Sequence, residues 1–398
     1  MAQPKIFVLI AMAGVALAAC GGGSTPGAAT NKPDKVQIAA EGPFTGDQAS
    51  IGAGALKAIQ LAVKDFNAAG GVNGTQVQLL IWDDQHSAQV AQTLQAAGIS
   101  DPTVLGIVGP MNSGVVLGSV TGLQGATPPL PFVSESASNV KVTDSGWSVA
   151  HRVNARDDAQ GPADAKFMID QGAKKVYVMD AKSDYSTALA DQTETYLKAH
   201  NIPTMRDQAK AGTTDFSTII TKIKSFNADW VYFADEGPEA APFVSQMKQA
   251  GLTIGNNINF LGTDGEEDSS IITKSQGAYD GAYATNITAD PAGVSGSAAA
   301  AYVTEYKAAY GADSLSSAGP FYGSAYEAAQ TLLQAIKASP VNSGKISRAD
   351  VISHLASDTF TTIFGSVKFN AKGDVTGGGI YVYKATGANM VVVKQVSG

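Results

Sequence analysis

VQIAAEGPFTGDQASIGAGALKAIQLAVKDFNAAGGVNGTQVQLLIWDD, Val36 to Asp84, changes its hydrophobic period twice. Its first six residues, VQIAAE, read as a strand. GAGALKAIQLAVKDFNAAGG (Gly52 to Gly71) then sets apolar residues at helical spacing and stops in glycines, and VQLLIWDD (Val77 to Asp84) is strand-like again. GGVNG (Gly70 to Gly74) is the turn between helix and second strand. A strand, a helix and a strand in this order form the unit from which parallel sheets are built.

The pattern continues outward. VLGIVG, PFVSE, KKVYVMD, ADWVYFAD and INFLGTD are short buried-type runs separated by amphipathic stretches. Such alternation predicts an α/β architecture with a mostly parallel sheet and helices on both faces. A second series begins after HRVNARDDAQGPADA (His151 to Ala165), so two α/β units stand in tandem. After Tyr283 the character changes: Ala298 to Tyr310, Gly323 to Lys337 and a stretch near Ile352 are helical, with little strand between them. This block reads as helices completing the first unit.

The N-terminal residues follow a different logic. One lysine, Lys5, precedes an uncharged apolar run from Ile6 to Ala19, too short for the roughly 18 to 20 residues that a spanning helix needs. Leu17-Ala18-Ala19-Cys20 resembles the lipobox of bacterial lipoproteins. The resemblance implies a signal over residues 1–19 and a diacylglycerol on Cys20, the single cysteine of 398 residues. Gly21 to Lys35 offers no large apolar side chain and reads as part of a flexible tether, 20–35, with a mean span of about 20 Å. The folded body is then expected to be extracytoplasmic and held to a membrane by lipid.

Lys and Arg number 27 against 35 Asp and Glu, for a net charge of −8 without charge runs. That balance argues against nucleic acid, which normally demands a basic patch. Catalytic signatures are missing too: no G-x-S-x-G, no H-E-x-x-H, no cysteine pair, and only His86, His151, His200 and His354 to serve as bases. Neither a metal nor a cofactor is expected. Failure to turn over a bound compound would separate a binder from an exported hydrolase.

In open α/β sheets the ligand crevice lies beyond the carboxyl ends of the strands. Past those ends the first unit supplies hydroxyls and amides, in PMNS (with Asn112 and Ser113) and SAS (Ser136 to Ser138). The second supplies acids: Asp184, Glu236 and Asp264. Ser113 stands where a helix starting at Gly114 needs its N-cap, so its hydroxyl and the first-turn N–H groups could either hold a carboxylate or simply cap the helix. Donors on one side and carboxylates on the other suit a ligand with both an anion and a cation.

From about Val36 onward the ordered set GPFTGDQASIGAGALKAIQLAVKDFNAAGGVNG, LLIWDDQHSAQVA, VGPMNSGVV, PFVSESAS, R-x-x-x-x-D-x-x-Q-G at Arg152 to Gly161, DYS, DFS, ADWVYFADEGPE, KQAGL, FLGTDG and FGSVKFNAKGDV resembles the leucine/isoleucine/valine-binding family of ABC-transporter solute-binding proteins. The resemblance implies a periplasmic-binding-protein-like fold, two Rossmann-like lobes with a ligand cleft between them and three crossing segments. Lobe one would be 35–154 plus 285–364, and lobe two 155–284 plus 365–398. Ser113, Ser136 and Ser138 occupy the places that grip the ligand carboxylate, Asp264 that of the acid taking the ammonium, and Tyr185 that of an aromatic closing over the ligand. Where relatives often carry glutamate the chain has Asp264, where many carry an aromatic it has Glu236, and where many carry tyrosine it has Ile51.

Two roles follow from the same fold. In the first, the chain acts as a monomer that captures an amino acid and delivers it to an ABC permease. In the second, it senses the ligand for a signalling partner. A permease and ATPase gene beside its own would favour the first, a kinase or regulator gene the second.

Overall fold

The computed structural model describes residues 32–235 and 237–396. In chain order the first half runs β1 (Val36–Gly42), α1 (Ala49–Ala68), β2 (Val77–Asp83), α2 (Ala88–Ser100), β3 (Val104–Val108), α3 (Ser113–Gly125), β4 (Phe132–Ser134), α4 (Lys141–Asp144) and β5 (Ala150–Arg152). The strands form one sheet in the order β2-β1-β3-β4-β5, every pair parallel. All five residues of β3 are buried, as a strand covered by helices on both faces requires. Helix α1 begins three residues before the glycine expected to open it and ends at Ala68, because Gly70 and Gly71 both adopt positive φ.

The second series is α5 (Asp157–Asp170), β6 (Val176–Asp180), α6 (Asp184–Ala199), β7 (Thr204–Gln208), α7 (Ser217–Phe226), β8 (Trp230–Ala234), α8 (Ala240–Gln249), β9 (Asn259–Gly262), α9 (Ser269–Lys274) and β10 (Tyr283–Asn286). Its parallel strands pair in the order β7-β6-β8-β9-β10, the same winding as in the first sheet. Each sheet therefore has a switch point, between β1 and β3 and between β6 and β8, where consecutive connections leave toward opposite faces.

The remaining elements are α10 (Ser297–Tyr310), α11 (Tyr322–Ala338), β11 (Val341–Asn342), β12 (Lys345–Ile346), α12 (Arg348–Ser357), β13 (Thr359–Thr362), β14 (Gly365–Lys368), β15 (Ile380–Thr386) and β16 (Asn389–Val396). The three helices return to the first sheet. Tyr326 Oη donates to Asp65 of α1 at 2.8 Å, Tyr310 Oη to the Lys57 carbonyl at 2.8 Å, and the buried Arg348 to the Val104 carbonyl at 2.8 Å. Gly54 permits this return, since a Cβ there would stand 1.6 Å from the Ala318 carbonyl oxygen. β15 then joins the second sheet antiparallel to β10, and β16 pairs antiparallel with β15, two strands that the sequence reading does not predict. The two small hairpins β11/β12 and β13/β14 likewise lie beyond what the sequence pattern predicts.

The chain thus passes between the sheets three times, after β5, after β10 and after β14. These passages lie side by side: Ala155 N donates to Ile287 O at 3.1 Å, Arg152 N to Gly373 O at 3.0 Å, and Val375 N to Arg152 O at 3.1 Å. The expected boundary at 284/285 falls inside β10, and the one at 364/365 falls in the turn of the β13/β14 hairpin. Strand pairing carries both crossings a few residues further along.

Candidate functional site

A cavity opens beyond the strand ends of both sheets, lined by Ile51, Met111, Asn112, Ser113, Ser136, Tyr185, Asp264, Gly265 and Phe321. The first sheet contributes at its switch point: Ile51 follows β1 on α1, and Met111 to Ser113 follow β3 at the start of α3. The second contributes Tyr185 after β6 and Asp264 after β9. Six residues expected at a binding site, Ile51, Asn112, Ser113, Ser136, Tyr185 and Asp264, therefore meet in one cavity.

Their polar atoms are individually oriented. Ser113 is the first residue of α3 rather than its cap, a correction of one position; Asn112 is the cap, without a side-chain cap bond. The Ser113 hydroxyl lines the cavity and accepts from Asn139 N at 3.2 Å. Asn112 Nδ2 donates to Gln48 Oε1 at 2.8 Å, and the Ser136 hydroxyl donates to the Met111 carbonyl at 2.8 Å. The first-turn N–H groups of α3 have no intrahelical acceptor and carry the positive end of the helix dipole.

Asp264 opens a short 3₁₀ turn, Asp264–Glu266, capped by Thr263. One carboxylate oxygen, Oδ1, accepts both from the Tyr185 hydroxyl and from Gln160 Nε2, the latter at 3.0 Å. Gln160 also donates to Thr285 at 3.2 Å. Among the described lining residues Asp264 is the one acid, and none is Lys or Arg. Tyr185 is 4 % exposed, and burial first, then the Asp264 charge, drives its phenol well above the ordinary range, so it remains a donor.

More acids pack behind both walls. Burial pushes Asp157 up to about 7, with the Asp264 charge adding to the rise, and drives Asp164 and Glu266 well above the usual carboxylate range. Behind the serine wall, burial takes Glu135 up to about 8 and Asp84 to about 6, and raises Glu41 well above its ordinary value. Gln95 Nε2 donates to Glu41 at 2.8 Å. Neutral carboxyl groups at these depths avoid the cost of burying unpaired charge.

Ser138 departs from the expectation. It is fully buried, its hydroxyl stands beside the Asp157 carboxylate, its carbonyl accepts from Asp157 N at 3.0 Å, and it does not line the cavity. The turn after Ser134 aims Ser136 at the cavity and takes Ser138 on toward α5. Asp184 does not line it either; its carbonyl accepts from Asn139 Nδ2 at 2.7 Å, tying the two units together. Glu236 and Cys20 lie outside the described residues. Met111, Gly265, Phe321 and Gln160 were not singled out. Met111 and Gly265 adjoin named residues, and Gln160 sits in the R-x-x-x-x-D-x-x-Q-G stretch, but Phe321 is unmarked by any local signal.

Comparison with known proteins places this geometry. A family model described as periplasmic binding protein matches residues 35–389. A leucine-, isoleucine-, valine-, threonine- and alanine-binding protein of Pseudomonas aeruginosa is 29 % identical over 370 residues, covering 88 % of this chain and 90 % of the relative. A leucine-specific-binding protein of Salmonella typhimurium is 26 % identical over 376 residues, covering 90 % and 93 %. The crystal structure of a leucine binding protein from Thermotoga maritima superimposes with a TM-score of 0.81 at 25 % identity, over 91 % of this chain and 99 % of that one. These relatives are binding proteins rather than enzymes. By the extent of the match and by the two wound sheets with a cavity at their switch points, the chain belongs to the periplasmic binding protein family.

Proposed function

We propose that the chain is the extracytoplasmic solute-binding component of an ABC importer and that its ligand is an aliphatic amino acid. The observation that carries this reading is that the serine wall of one sheet and Asp264 of the other line the same cavity. The ligand carboxylate takes the Ser113 proton and the N–H groups at the start of α3. The ammonium faces Asp264, which Tyr185 and Gln160 orient. Ile51, Met111 and Phe321 supply an apolar end for the side chain, in keeping with the ligands named for the Pseudomonas and Salmonella relatives.

Contacts from both walls exist together only when the two lobes are close, so ligand binding favours a closed form through differential affinity. That form is what a permease would dock. A diacylglycerol on Cys20 would keep the protein near its transporter, since acyl chains anchor in proportion to the methylenes they bury.

Titration calorimetry with leucine, isoleucine and valine, beside 4-methylpentanoate and isoamylamine, tests the reading. The amino acids are expected to bind and the analogues lacking one charged group to bind on the order of tenfold weaker or worse. Equal binding of either analogue would rule out the zwitterion clamp.

A further inference from the structure

A second cavity, open to solvent, lies among the three crossing segments rather than at the strand ends. Val153, Ile287 and Val375, one from each crossing, line it together with Glu327 of α11, Phe364 of the β13/β14 turn and Tyr381 of β15. It therefore touches every segment that must bend when the lobes move, and it lies apart from all residues of the amino-acid cavity.

Glu327 gives this cavity a chemical preference. The residue is 7 % exposed, and its recorded hydrogen-bond donor is Thr362, whose hydroxyl gives to Oε1 at 2.7 Å. Among the described lining residues there is no Lys, Arg or His. Burial raises this carboxyl up to about 7, so near neutrality it has no fixed counter-charge and is held between its two forms. The hydroxyls of Thr288, Ser366 and Thr376 also line the cavity and can accept from an ammonium N–H, whereas an anion would meet the Glu327 carboxylate. A metal ion has too few ligands: among the described residues no group of three acidic, histidine or cysteine side chains could hold one. Two aromatic rings, the aliphatic side chains of Val153, Ile287, Val367 and Val375, three hydroxyls and one carboxylate are surroundings that suit an alkylammonium group, whose charge the acid stabilises, whose N–H groups the hydroxyls can accept and whose carbons the apolar side chains cover.

The geometry points to a binding site for a small organic ammonium ion at the hinge, with Glu327 as its counter-ion. Because all three crossings line the site, an occupant contacts the segments that set the angle between lobes. This inference stands independently of the amino-acid reading.

The test uses butylammonium chloride as probe, with butanol and sodium chloride as controls, followed by saturation-transfer NMR on the intact protein. Butylammonium is expected to bind saturably, butanol on the order of tenfold weaker, and sodium chloride at matched ionic strength not to displace it. Glu327→Gln, isosteric and still able to accept from Thr362, should weaken butylammonium by a similar factor. Ser366→Trp, placed at an exposed position on the cavity rim, should abolish binding by filling the space without touching the buried acid. Asp264→Ala should leave butylammonium binding in place. Loss of the probe in Asp264→Ala, or equal affinity in wild type and Glu327→Gln, would overturn the proposal; failure of amino-acid binding alone would not.

Discussion

Gln160 and Asp264 lie on different elements of the second unit, and the amide nitrogen of the first donates to Oδ1 of the second at 3.0 Å. The Tyr185 hydroxyl donates to the same oxygen. Both donors act on one carboxylate oxygen, so the orientation of the Asp264 side chain depends on residues distant in sequence.

Gln160→Leu removes one of those donors while keeping much of the volume. Amino-acid affinity is expected to fall by about 1 to 2 kcal/mol, read by titration calorimetry. Tyr185→Phe should cost a comparable amount. In a double-mutant cycle the two losses should couple, because both act through Asp264. Strict additivity would assign them separate roles.

Asp264→Ala removes the acid proposed to take the ligand ammonium, and amino acids should then produce no thermal shift. For the wild type a ligand at 100 times its dissociation constant adds about 2.7 kcal/mol. Ser113→Ala is expected to weaken carboxylate-bearing ligands by roughly 1 to 3 kcal/mol and to leave the fold intact. A normal shift in Asp264→Ala would exclude its assignment.

Arg152 and Asp374 form an ion pair at 2.7 Å with the arginine side chain fully buried. Arg152 also donates to the carbonyls of Ala137 and Asn139, and Arg156 reaches Asp374 at 3.1 Å. The pair ties the first crossing to the third. Asp374→Ala leaves the buried guanidinium without its carboxylate and should destabilise the protein by about 3 to 5 kcal/mol in chemical denaturation. A loss below 1 kcal/mol would show that the carbonyl acceptors suffice.

Glu135 sets a pH dependence whose sign is opposite to that of a salt-bridged acid. Burial holds its carboxyl up at about 8, against roughly 4.3 in the unfolded chain. Between those values the folded state keeps a proton that the unfolded state has lost, so stability declines as pH rises through this window, by up to about 1.4 kcal/mol per unit. Glu135→Gln should flatten the decline, and denaturant midpoints at pH 5, 6, 7 and 8 measure it. Glu41 and Asp84 contribute in the same direction and keep part of the slope. An unchanged slope in Glu135→Gln would mean that Glu135 is ionised in the folded protein.

The parallel winding and most of the cavity could be read from the chain because both depend on local rules. A fully apolar five-residue strand such as Val104–Val108 must be covered on both faces. Side chains just past strand ends are the ones left to face a ligand, which is how Ser113, Ser136, Tyr185 and Asp264 could be named in advance. Ser138 was misplaced because two residues of turn decide whether a hydroxyl meets the cavity or α5.

Alternation of apolar and polar residues thus determined the α/β class, the two repeats and the polar character of each wall, since periodicity and turn chemistry act over a few residues. Tertiary structure alone decided that Phe321 closes the cavity, that Gln160 steers Asp264, and that β15 and β16 extend the second sheet. Each depends on contacts between segments far apart in the chain, and such contacts are selected by the packing of the whole rather than by any local preference.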